Sequence, residues 1–284
     1  MAGIAAPRVV ALVPAWNAEG FIGATLASLA AQTYPGLEVL ISDDASTDGT
    51  GAICAAFAAT TPRVRYLAQR QRLGWVGNVN ALLREADADL AFFALHDDPL
   101  EPTYVERLVD ALERHPRAVL AFTDVDAAGR RWTYPHLDGV PDRFERARRV
   151  LTRSGPWWVP YRGVFRAPAV RRIGGMRRHL AGEFMADWPW LLRLALIGEF
   201  ARVPEPLVHK VWLERGLSLR WRRSPWQKLG VLLACMGVVR AAGFGRAEEL
   251  RLHGVALSAP LRRRWWRVRE RWVERQAAPT PPRG

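Results

Sequence analysis

The sequence predicts an α/β fold with a mostly parallel central sheet flanked by helices, and three observations carry that prediction. Over the first 125 residues, β-branched or apolar runs at Val9–Val13, Glu38–Ser42, Val64–Leu67, Leu90–Leu95 and Ala118–Phe122 alternate with helix-like segments near Glu19–Gln32, Asp48–Ala58, Val76–Ala86 and Tyr104–Arg114. That spacing is the one βαβ units produce. Polar clusters fall where those strands end: "PAWNAEG", "DDASTDGT" and "HDDP", and open parallel sheets bind ligands outside the carboxyl ends of their strands. Finally, 284 residues that are 49% apolar are enough for a sizeable core.

Beyond the first five strands the pattern weakens. Ala127 to Gly182 is rich in Arg, Pro and Gly, which suits loops and short elements over the sheet edge. "ADWPWLLRLALIGEF" then reads as a helix with Asp187 as N-cap, Pro189 in the first turn, an apolar face beginning at Leu191, Leu194 and Ala195, and Gly198 ending it. After residue 224 the pattern is helical again, and the Pro-rich "APTPPRG" is expected to be disordered. This divides the chain into a main domain over 1–223, a helical basic extension over 224–276 and a tail over 277–284. No internal repeat is present.

The formal net charge is +13, and Lys210 and Lys228 are the only lysines among the cations. So strong a basic balance points to an anionic partner such as nucleotide phosphates, nucleic acid or an acidic membrane face. Cys54 and Cys235 are isolated and give no disulfide framework, so a reducing compartment is expected. The N-terminus reads as no signal peptide, and the apolar run at 229–239 is too short to span a bilayer. Neither GxGxxG nor GxxxxGK[ST] occurs, which removes the dinucleotide fingerprint and the P-loop.

Three strand-end clusters carry chemistry. In "VLISDDASTDGT", Asp43 or Asp44 can make Asx-turn bonds while Asp48 caps a helix. A carboxylate there can equally accept hydrogen bonds from a base and a ribose. In "RLGWVGNVNALL", Gly74 and Gly77 permit close backbone approach, and Asn78 and Asn80 offer amides at a helix start. In "HDDP", Asp97 and Asp98 are either a helix-start turn or a pair of oxygen ligands for Mg²⁺ or Mn²⁺.

Together these segments resemble glycosyltransferase family 2, the inverting enzymes of the GT-A (nucleotide-diphospho-sugar transferase) fold. The family pattern P-x-Y-N-x-E, S-L-x-x-Q-T-Y and D-D-x-S-T-D-x-T is met in register by Pro14, Asn17, Glu19, Ser28, Leu29, Gln32, Thr33, Tyr34, Asp43, Asp44, Ser46, Thr47, Asp48 and Thr50. "LGWVGNVNALL" is similar to the L-G-x-x-x-N-x-N segment, "FALHDDPLEP" lies where the D-x-D metal motif falls, and "ADWPW" opens the segment that carries the base. The resemblance covers about residues 8 to 215.

The resemblance implies a nucleotide-sugar donor, commonly a UDP-sugar, bound by Asp43 and Asp44 with the Pro14, Ala15, Trp16 and Asn17 loop, Glu19, Arg72, Gly74, Asn78 and Asp97. It implies Mg²⁺ or Mn²⁺ on Asp97 and Asp98, and Asp187 as general base with Glu183 as its understudy. The nucleotide-binding part would be about 1–125 and the acceptor side about 126–223, where Trp157, Trp158, Tyr161 and Arg162 are candidates to meet a glycan or glycolipid acceptor. Three departures stand out. Leu95 occupies the first D-x-D position, and Arg72 replaces a common Asn. The usual Arg-x-His is also missing, leaving His209 and Lys210 as candidates for a leaving-group contact.

The C-terminal "LRRRWWRVRERWVER" spaces Leu261, Trp265, Val268 and Trp272 as an amphipathic basic helix. Such a helix either lies on an anionic membrane surface or packs on the domain by its Trp face. Nucleic acid is disfavoured because no recognition motif accompanies the charge. The expected setting is cytoplasmic, peripheral on the inner membrane face, in surface polysaccharide or glycolipid synthesis. A nucleotidyltransferase, and a non-catalytic sugar-nucleotide-binding scaffold of the same fold, are the rival readings.

Overall fold

The computed structural model describes residues 6–152, 156, 158–211 and 224–259. Its first half follows the alternation of the sequence: β1 (Val9–Ala15), α1 (Ile22–Ala30), β2 (Leu37–Asp43), α2 (Thr50–Thr60), β3 (Val64–Ala68), α3 (Gly74–Glu85), β4 (Leu90–Phe93), α4 (Tyr104–Arg114) and β5 (Ala118–Ala127). β1 is buried along its whole length, as expected of a strand covered on both faces. It pairs in parallel with β2 on one side and β4 on the other.

The second half holds β6 (Arg130–Trp132), α5 (Arg143–Thr152), β7 (Val164–Arg166), α6 (Ala167–Ile173), α7 (Asp187–Ile197), β8 (Glu199–His209) and α8 (Pro225–Ala241). Residues 246–259 form a further helix, α9. The sheet runs β3-β2-β1-β4-β7-β5-β6, with β8 paired to β5. The expectation that Ala127 to Gly182 lies over the sheet edge is corrected by β7, and β8, beyond that stretch, is a strand not anticipated from the sequence. β7 lies inside the sheet, antiparallel to both β4 and β5, and three residues are too few to show a period. β8 is an eleven-residue strand parallel to β5 whose register shifts twice around Asp124, beside Pro206. Proline breaks strand pairing and masks the alternation that marks a strand.

One core runs through the described residues. α8 and α9 join it through Val231, Cys235, Val239, Leu252 and Ala256. α8 starts on a capping box between Ser224 and Gln227 with Pro225 behind it. Among the described residues, no helix is long and apolar enough to cross a membrane. α7 sits on the sheet through an aromatic cluster: Trp190 lies 5.5 Å from Phe93, 5.6 Å from Phe165 and 6.0 Å from Tyr161, ring centre to ring centre. Its end is Gly198 in extended backbone, where a Cβ would come within 2.1 Å of the Val119 side chain.

Candidate active site at the carboxyl ends of the strands

The loops after β1 and β2 are stitched together by the residues of the two opening motifs. Asn17 and Ala45 hold left-handed backbone (φ 45 and 55), a conformation that costs a non-glycine residue about 1 kcal/mol or more and is concentrated at functional loops. The Asn17 amide donates to Ser46 Oγ at 2.9 Å, and Asn17 Oδ1 accepts from the Thr47 amide at 2.9 Å. Glu19 accepts from the Gly49 amide at 2.9 Å. Asp43, at the last position of β2, accepts from the Ser46 amide at 3.2 Å, and its other oxygen lies 3.4 Å from the Tyr66 hydroxyl. Burial, and then the Asp43 charge, pushes the Tyr66 phenol up to about 12. Pro14 and Ala15 are the buried end of β1, and the Arg72 guanidinium stacks 3.5 Å from the centre of the half-buried Trp16 ring.

Two carboxylates from distant loops close the amino end of α3. Asp44 accepts from the Leu73 and Gly74 amides at 2.5 and 3.0 Å, and Glu183 accepts from the Trp75 and Val76 amides at 3.0 and 3.3 Å. The four amides that a helix start leaves without partners are thereby satisfied. Gly74 (φ 77) is required because a Cβ there would meet Glu183 Oε1 at 2.6 Å. Burial pushes the Asp44 carboxyl up, and the two amides pull it back. Asn78 is buried as a clamp: it donates to the Ser42 carbonyl at 2.9 Å and accepts from Ser42 Oγ at 2.5 Å. Asp44, Asn78 and Glu183 therefore shape the site from beneath, with their polar groups already engaged.

After β4, the Asp97–Asp98 pair has its repulsion offset by two cations of the chain. Arg162 Nε donates to Asp98 Oδ2 at 2.6 Å, with the side chains 8% and 2% exposed. Lys210 Nζ stands 3.5 Å from Asp98 Oδ1 and 4.0 Å from Asp97 Oδ2. Burial pushes the Asp98 carboxyl up against the pull of Arg162 and Lys210, and burial pushes the Lys210 ammonium down. His96 faces the Pro14 carbonyl at 2.9 Å, joining this loop to β1. His209 reaches Glu101 at 2.5 Å and lies 3.7 Å from Asp126. As a divalent-metal site the pair fits poorly. Among the described residues no cluster of three His, Cys, Asp or Glu side chains could hold an ion, Asp98 is held by Arg162, and an ammonium faces both carboxylates.

Asp187 is the first residue of α7. The expected N-cap role is corrected: the cap is Ala186, without a side-chain capping bond, so the carboxylate lies inside the first turn. Met185, in left-handed backbone (φ 53), turns the chain into the helix. Asp187 and Asp98 both raise the phenol of the fully buried Tyr161, behind the larger effect of burial itself. One tyrosine thus lies within electrostatic reach of both carboxylates.

The acceptor-side candidates separate. Tyr161 is internal, 3% exposed and stacked on Phe93 at 5.3 Å, so its ring is not a sugar platform. Arg162 is the buried partner of Asp98. Trp158 packs 5.8 Å from Trp132 with Arg162 5.0 Å from its centre. Trp157 and the segment 261–275 lie outside the described residues. Sequence reasoning missed Arg162 as the partner of Asp98 and Tyr66 against Asp43. No local signal marks either residue, because each meets its partner from an element remote in sequence: Arg162 from the 3-10 turn Pro160–Arg162 and Tyr66 from β3.

The described geometry is that of a nucleotide-diphospho-sugar transferase fold. The model of "Glycosyl transferase family 2" matches residues 10–173, more than half of the chain, and the chain belongs to that family. It is 28% identical over 223 residues to the y4gI protein of Sinorhizobium fredii, covering 77% of this chain and 23% of that one. The chain therefore spans about a quarter of that relative's length. Among solved structures it is similar to S. aureus TarS 1–349 in complex with UDP-GlcNAc, with a TM-score of 0.74 at 17% identity, covering 89% of this chain and 72% of that one. It is also similar to the mannosyltransferase PcManGT of Pyrobaculum calidifontis in complex with GDP-Man and Mn²⁺, with a TM-score of 0.56 at 20% identity, covering 92% and 83%.

Proposed function

We propose that this chain is an inverting transferase that moves a sugar from a nucleotide-sugar to a hydroxyl acceptor, with Asp187 as general base. The observation that supports this is that the charges of Asp187 and Asp98 both bear on the buried Tyr161 phenol, so the two carboxylates share one neighbourhood. Asp43 marks the base-and-ribose end of the same row of loops, beside the Trp16–Arg72 stack. A diphosphate lying between Asp43 and the aspartate pair would bring the anomeric carbon toward α7. Asp187 then accepts the acceptor's hydroxyl proton as its oxygen attacks from the face opposite the leaving diphosphate. One displacement follows, with inversion and no covalent intermediate.

The family match and the neighbours solved with UDP-GlcNAc and GDP-Man support the donor class. A UDP-sugar is the first donor to try, with GDP-sugars second. The acceptor proposed is a growing surface polysaccharide or glycolipid, reached from the inner membrane face. No step is routed through a divalent ion, since Asp98 and both cations already form a closed cluster. The test is release of free nucleoside diphosphate from a panel of UDP- and GDP-sugars. Turnover of one donor supports the reading. Binding of nucleotide without turnover for any donor and acceptor would instead identify a sugar-nucleotide-binding scaffold.

A further inference from the structure

The aspartate pair after β4 raises a question of charge. Two carboxylates, Asp97 and Asp98, meet two cations, Arg162 and Lys210, so the cluster is neutral as it stands. Lys210 is not a surface side chain that has drifted inward: its side chain is 14% exposed, less than that of Asp97 at 19%. Backbone pairing fixes its place. The Lys210 amide donates to the Asp126 carbonyl at 2.7 Å, the His209 amide to the Pro99 carbonyl at 2.8 Å, the Val211 amide to the Asp97 carbonyl at 3.3 Å and the Glu101 amide to the Leu207 carbonyl at 3.0 Å. The end of β8 is thus zipped onto the very loop that carries the pair, and the ammonium is set over the two carboxylates by main chain.

A divalent ion entering between these carboxylates would face that ammonium at short range, in a cluster whose negative charge is already matched. A diphosphate faces the opposite situation. An ammonium is a compact point charge suited to phosphate oxygens, and the arriving anion would add negative charge to a neutral cluster.

We propose that Lys210 is the resident cation of this site, that it meets the donor's diphosphate directly, and that nucleotide binding needs no divalent metal. This rests on the nucleotide-sugar reading above. Asp97 and Asp98 then orient the lysine rather than chelate an ion, and Arg162, bonded to Asp98 Oδ2, fixes that carboxylate in place.

Titration calorimetry of the full chain with UDP and with GDP, each in EDTA and in excess Mn²⁺, tests this. Wild type is expected to bind one of them in EDTA, with Mn²⁺ changing the affinity less than about threefold. Lys210→Met is expected to weaken binding in EDTA by about tenfold or more, the loss of one charge-assisted contact, while Lys210→Arg keeps most of it. Because Lys210→Met also uncovers the carboxylates, it should gain a Mn²⁺ site, seen by Mn²⁺ electron paramagnetic resonance without nucleotide, that wild type lacks. Nucleotide binding that appears only with Mn²⁺, or that Lys210→Met leaves unchanged in EDTA, overturns the proposal while leaving the transferase reading intact. Binding of neither nucleotide under any condition overturns both.

Discussion

Arg162 and Asp98 form a buried ion pair, Nε to Oδ2 at 2.6 Å, inside the loop cluster that would receive a diphosphate. The Tyr104 hydroxyl donates to the Arg162 carbonyl and the Arg162 Nη1 donates to the Trp158 carbonyl at 3.0 Å. Arg162 is therefore fixed by the fold at both its backbone and its guanidinium.

Removing one member leaves the other charged and buried. Arg162→Met should lower stability by about 3–5 kcal/mol, measured by urea denaturation. The double variant Arg162→Met, Asp98→Asn should recover part of that loss, because it no longer strands a charge. A single variant as stable as wild type would mean that the two side chains do not depend on each other.

Glu183 serves α3, so it should matter for stability before chemistry. Glu183→Ala strips partners from the Trp75 and Val76 amides and should cost about 1–2 kcal/mol. Glu183→Gln keeps an acceptor oxygen and should hold turnover within about tenfold of wild type. A complete loss of turnover in Glu183→Gln at normal stability would move the base role from Asp187 to Glu183.

On α5, Glu145 is held by Arg148 and Arg149, each at 2.6 Å. Its hydrogen bond from Arg148 is the chief cause lowering the carboxyl from 4.5 to about 2. A carboxyl depressed by folding adds stability above its unfolded pKa and loses it as the pH falls toward the folded one. This contribution is therefore full above about 4.5 and lost between there and about 2. With the arginines partly exposed, screening reduces it to about 1 kcal/mol. Denaturation curves for Glu145→Gln should show a shallower acid limb in that window, and an unchanged slope would count against the pairing.

Asp43 sits at the end of β2 with Gly51 packed against it, where a Cβ would come within 3.0 Å of its Oδ2. Asp43→Asn should weaken nucleotide binding by about tenfold without a comparable loss of stability. Gly51→Ala, which presses on the same oxygen, should weaken binding in the same direction. Calorimetric affinities near wild type in both variants would remove Asp43 from the site.

Much of this organisation is legible in the residues. The first five strands and four helices appear within a few residues of their predicted places, because strands buried on both faces read as short continuous apolar runs set between longer helical segments. The motif residues Asn17, Glu19, Asp43, Asp44 and Asp48 do gather at the strand ends. What the sequence hides is which partner each one meets. Asp44 and Glu183 are separated by more than a hundred positions, yet they cap one helix. The central strand β7 escapes notice because it is three residues long, and β8 because prolines interrupt it. Tyr161 and Arg162 resemble a ligand-facing pair only until the packing of Phe93 and Trp190 shows them to be internal.

The central assignment is Asp187 as the base that receives the acceptor's proton. Its most direct test is to compare donor affinity and kcat for wild type and Asp187→Asn, with a nucleotide-sugar that wild type turns over. An unchanged Kd for donor with kcat reduced by about a hundredfold or more is the expected result. An Asp187→Asn enzyme that turns over donor as fast as wild type would contradict it.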